Sequence, residues 1–199
     1  MSKRVRIATV AFAFAMMLAA VGCSVPFAGH SNQPAASSRS RAAMPDTSLP
    51  GRWTADVIGQ AITAINQKVG ANPADYIKVL LTGYSFKAQA INPQKRQNVD
   101  EYEYDGAGVK VTPVDISHNE PGVVEESAFK SDTVKPDVLA KVMGSAVKDS
   151  GLEDVKLDVV SVQRIFANDP QPVLDVFVRG PRASKTVRYD LSGQFQKVT

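Results

Sequence analysis

Twice along this chain the apolar residues switch from a spacing of three and four to short β-rich runs. That double switch confines the fold to helices packed on antiparallel strands. Val57, Ile58, Ala61, Ile62, Ile65 and Val69 fall on one helical face. Thr54 can cap that helix, Trp53 can staple onto Ile58, and Gly70 suits its stop. Trp53 is therefore expected in the core, with a ligand platform as the other use of an indole here. Beyond Asn72-Pro73 come runs at 76–81, 84–91, 99–104 and 109–116, punctuated by Thr82-Gly83, Asn92-Pro93 and Asp105-Gly106-Ala107-Gly108.

The second switch follows the same order. A helix starting near Pro136 carries Val138, Leu139, Val142, Met143, Ala146 and Val147 on one face and closes at Gly151. Strands are predicted at 155–166, 173–178, 186–191 and 195–198, with a sharp turn at Asn168-Asp169-Pro170. Tyr104-Asp105-Gly106-Ala107-Gly108 and Tyr189-Asp190-Leu191-Ser192-Gly193 share a pattern, and their separation nearly equals that of the two helix starts. The predicted fold class is α+β, two repeats of one helix followed by an antiparallel β-meander, at 51–130 and 131–199. The competing explanation is coincidence, because Asp and Gly are favoured in any hairpin turn.

This element order, with its Tyr-Asp-x-x-Gly turn, resembles the PepSY and PepSY-like domains of exported bacterial proteins and the tandem helix-and-sheet modules of secreted β-lactamase inhibitors. The resemblance implies a helix on one face of each four-stranded sheet and a free opposite face. A tandem copy would then present a concave or saddle-shaped surface suited to gripping a partner.

The start of the chain supplies an address. Lys3, Arg4 and Arg6 precede an apolar run at 7–21, shorter than the roughly 20 residues of a membrane span, and then come Gly22 and Cys23. Leu18-Ala19-Ala20-Val21-Gly22-Cys23 resembles the lipobox of bacterial lipoproteins, departing from it in Ala20, where Leu is usual. The resemblance implies that residues 1–22 are a signal peptide, that the Cys23 sulfur receives a diacylglycerol, and that Ser24 permits outer-membrane sorting where a second membrane exists. Cys23 is the chain's single cysteine, so an internal disulfide is impossible. The alternative is an unpaired thiol at the end of an uncleaved apolar helix.

All 20 Asp and Glu lie beyond the leader while three of the 23 Lys and Arg lie within it, so the remaining chain is neutral despite a pI near 9.0. Nucleic acid, which selects a basic face, is not an expected partner. Residues 24–50 are rich in Ser, Ala and Pro, and with Cys23 they read as a flexible tether over 23–50.

Chemistry is sparse. The two histidines, His30 and His118, fall in the tether and in a loop. A hydrolase would have to recruit His118, and no Gly-x-Ser-x-Gly elbow accompanies it; a solvated loop histidine is the plainer reading. Glu101, Glu103 and Asp105 alternate on one strand face, either as an exposed acidic surface or as an acid-base pair. Neither a phosphate-cradling loop nor an EF-hand pattern occurs, and no metal or cofactor is implied. Lys95 with Arg96, and Arg179, Arg182, Lys185 and Arg188, form two basic groups. They serve either as edge protection or as a contact for anionic lipid or envelope polymer.

The expected function is a non-catalytic protein-binding or adaptor module, held by Cys23 on the extracytoplasmic face of a membrane and gripping an envelope protein partner. The alternative is a carrier of lipid or another small hydrophobic ligand, with a strand-lined cavity.

Overall fold

Helix α2 (Ala55–Val69) forms on the predicted apolar face. The Thr54 hydroxyl accepts from the Val57 amide at its start, and Gly70, in the left-handed conformation at φ 81°, closes it. Ahead of it, α1 (Leu49–Arg52) buries Leu49 and is capped by Ser48. The computed structural model describes residues 48–120 and 122–199, so the leader, Cys23, His30 and the tether as far as residue 47 lie outside the described residues.

The first four strands follow as β1 (Asp75–Thr82), β2 (Phe86–Ile91), β3 (Val99–Tyr104) and β4 (Val109–Val114). A short helix α3 (Val123–Ser127), a two-residue strand β5 (Phe129–Lys130) and a 3-10 turn (Ser131–Thr133) lead into α4 (Pro136–Ser150). Pro136 sits in the first turn of α4, and Gly151, at φ 63°, ends it. Then come β6 (Lys156–Gln163), β7 (Val173–Arg179), β8 (Ser184–Tyr189) and β9 (Phe195–Val198).

The nine strands among the described residues belong to one sheet, in the order β4-β3-β2-β1-β6-β7-β8-β9, with β5 beside the start of β1. Each pairing is antiparallel. Helices α2 and α4 lie side by side, α2 over β2–β4 and α4 over β6–β9. Between helices and sheet is one core in which Trp53, Tyr76, Phe86, Ile58, Leu139, Leu174 and Tyr189 are almost wholly enclosed. Burying each large apolar side chain of this kind contributes about 1.5–3 kcal/mol. Trp53 takes its core role: its ring lies 6.3 Å from that of Phe86, and its indole N–H donates to the Thr82 carbonyl at 2.6 Å.

The expectation of two repeats of one helix and a β-meander is corrected. Although α+β describes the chain, α1, α3, β5 and the 3-10 turn interrupt the scheme, and the strands form one continuous sheet instead of two. The physical reason lies at the centre. Pairing of β1 with β6, from Lys78 opposite Gln163 to Thr82 opposite Val159, removes two edges that separate sheets would leave open. The shared Tyr-Asp-x-x-Gly pattern is turn chemistry. Asp105 accepts from the Ala107 and Gly108 amides, and Asp190 from those of Ser192 and Gln194.

Side-chain bonds to the backbone also set strand ends that periodicity misplaced. Tyr84 is not in β2, because the Thr82 hydroxyl accepts from the Tyr84 and Ser85 amides and makes them a turn. The strand predicted to reach Phe166 stops at Gln163, and Asp169 accepts from the Phe166 amide in the loop beyond. Asp115 likewise accepts from the Ser117 amide just past β4.

Candidate binding surfaces

Because both long helices cover one side, the sheet has a second face built from alternate residues of eight strands. Strand pairing aligns Lys110, Glu103, Lys87, Leu80, Ser161, Asp175, Arg188 and Lys197 in one row across it. At about 4.8 Å per strand, the row spans about 34 Å. A parallel row runs through Thr82, Val159, Phe177 and Thr186. One corner is covered: Val124 of α3 packs there with Ile91, Val99 and Val114 in a small second cluster.

Ion pairs hold this face. Lys87 bridges Glu101 at 3.0 Å and Glu103 at 3.6 Å, and its hydrogen bond to Glu101 raises the ammonium pKa above its ordinary value. The Arg188 guanidinium donates twice to Asp175, Nε to Oδ1 at 2.7 Å and a terminal nitrogen to Oδ2 at 2.8 Å. Asp175 is only 8% exposed, so this fork holds a desolvated carboxylate within the surface. On β7, between Asp175 and the Arg179 that pairs with Asp158, Phe177 is 45% exposed, with half-buried Val159 opposite it. An aromatic ring left open between fixed charges is a common anchor for a protein partner.

A concavity lies beside α1. Leu49 and Pro50 of α1, the Thr82–Tyr84 turn, the Met143–Val147 side of α4 and the start of β6 surround an open cleft of about 1030 Å³. Tyr84, 79% exposed, and Val147 stand on its wall, and Met143 is buried there. Gly144 leaves a gap in the helix wall; a Cβ added at that position would meet nothing within 4 Å. On the rim, Asp158 is held by Arg179, whereas Lys156 has no side-chain partner among the described residues.

The residues singled out from sequence are largely dispersed. His118 is exposed in the loop after β4. Glu101 and Glu103 do share a strand face, but Lys87 neutralises them, while Asp105 serves its turn. Backbone amides of Ala107 and Gly108 hold the Asp105 carboxyl below its ordinary range. Of the basic groups, Arg96 pairs with Asp75, Arg179 with Asp158 and Arg188 with Asp175, and Lys185 donates to the Ser150 carbonyl. No group of three His, Cys, Asp or Glu stands together to hold a metal ion among the described residues. Gly144 and Lys156 carry no signal in the sequence, since a mid-helix glycine and a strand lysine are ordinary surface residues.

The edges of the sheet are poor grips. Strand β4 carries Pro113 and Lys110, which hinder addition of a further strand, and β9 is four residues long. The chain matches no family model, no curated protein and no solved structure.

Proposed function

We propose that this protein is a non-catalytic binding module of the cell envelope, anchored through acylated Cys23 on the extracytoplasmic side of a membrane and gripping a partner protein with its open sheet face. The observation that carries this reading is the eight-strand face, open except at the α3 corner, with Phe177 exposed between the Arg188–Asp175 and Arg179–Asp158 pairs. With both long helices on one side, the other side is a broad surface, open except at the α3 corner. A lipid carrier would need an enclosed apolar cavity, and the cleft beside α1 is open to solvent.

The test is a photo-crosslinking residue placed at Phe177 or Gln89 in the full-length protein, expressed in a lipoprotein-processing bacterium, with Thr63 on the outer side of α2 as control. A discrete protein adduct from both sheet positions and none from Thr63 is expected. Equal labelling from all three positions would overturn the reading. For the anchor, metabolic labelling with an alkyne fatty acid should mark the wild type and not Cys23→Ser.

A further inference from the structure

The cleft at the α1 end has one property that the open face lacks. Strand β1 ends at Thr82, opposite Val159, so Lys156 and Leu157, paired with β7 on one side, and Asp158, the extra residue of a β-bulge, have no strand on the other side among the described residues. No backbone hydrogen bond fills that side among the described residues. A short strand edge therefore borders a cleft walled by apolar side chains, an arrangement that suits a peptide main chain with one side chain directed inward. The open space at Gly144 can take that side chain in a cleft that Val147 and Leu157 also line. Charge selects its neighbour: Asp158 is neutralised by Arg179, and Lys156 stands unpaired on the rim, so the cleft complements a negative group.

We infer that this cleft is a peptide-binding site, which receives an extended segment of the partner protein two to three residues long, continuing the sheet beside Lys156–Asp158. A large apolar side chain of that segment fills the space at Gly144, and an adjacent Asp or Glu meets Lys156. The inference rests on the binding-module reading but uses a site separate from Phe177, so the two fail independently. A free acyl chain would use the apolar wall and leave the strand edge unpaired, which is why a peptide is the better occupant.

A phage-displayed random peptide library panned on the mature chain, with Cys23→Ser as its only change, tests this directly. The enriched sequences are expected to share a large apolar residue beside Asp or Glu. Synthetic peptides of that pattern should bind Gly144→Phe at least tenfold more weakly than the parent and bind Thr63→Arg unchanged. Panning on Lys156→Glu should lose the acidic preference. Circular dichroism and urea midpoints of each variant separate loss of binding from loss of fold. The inference is overturned if no pattern is enriched, or if enriched peptides bind Gly144→Phe as well as the parent. It is equally overturned if cis-parinaric acid binds the parent and not Gly144→Phe while no peptide does, since the occupant is then an acyl chain.

Discussion

Replacement of Asn66 by alanine tests whether one buried amide joins three elements of the core. Asn66, 5% exposed on α2, accepts from the Tyr76 hydroxyl of β1 at 2.8 Å. Its side-chain nitrogen donates to the Ser131 hydroxyl of the 3-10 turn at 3.0 Å and to the Asn72 side chain at 3.2 Å. The three lost bonds do not cost the same. Asn72 is exposed and finds water, and Ser131 keeps the Ala74 amide as a donor at 3.0 Å. Tyr76 is fully buried, so its hydroxyl is left without an acceptor, which costs about 1–3 kcal/mol. With roughly 1 kcal/mol for the space vacated by the amide, Asn66→Ala should lose about 2–4 kcal/mol. Tyr76→Phe removes the orphaned group, so the double variant should be more stable than the sum of the single losses implies, by about 1–2 kcal/mol. Urea unfolding of the four proteins gives these values, provided the slope with denaturant stays constant. A loss below about 0.5 kcal/mol for Asn66→Ala, or a strictly additive cycle, would refute the argument.

Gly144→Ala should stabilise the protein by about 0.5–1 kcal/mol, read as a higher urea midpoint, because a mid-helix glycine is replaced where the new methyl meets open space. Gly193→Ala should act oppositely, costing about 1–2 kcal/mol or more; φ is 78° and the added Cβ would lie 3.2 Å from Val138 Cγ1. Stability should fall as pH rises above about 10. Burial pushes the Tyr76 phenol well up, and burial, reinforced by Asp149 against the opposing Ser145 bond, pushes Tyr189 up to about 12. Across that window the unfolded chain releases protons that the folded chain retains, so unfolding becomes easier. Tyr189→Phe should make the decline shallower in thermal melts taken between pH 9 and 11.

The amino-acid sequence alone determined the local elements, because their causes are local. Thr54, Gly70, Pro136 and Gly151 bound the two long helices as their capping chemistry requires, and 3.6-residue periodicity marked the buried faces. The leader and the lipid anchor at Cys23 are what the resemblance to the lipobox implies, and they lie outside the described residues. Periodicity says which face of a strand is apolar but not which strand lies beside it. Only the tertiary structure therefore decided that β1 pairs with β6 and makes one sheet of what reads as two. The same holds for the candidate sites. Arg188 meets Asp175, and Lys87 meets Glu101 and Glu103, across strands whose partners are chosen globally. The cleft exists because β6 outruns β1 beside a helix that carries glycine at that level. Pairing between distant segments is settled by burying the most apolar surface with the fewest open edges, a property of the whole sheet and not of any stretch within it.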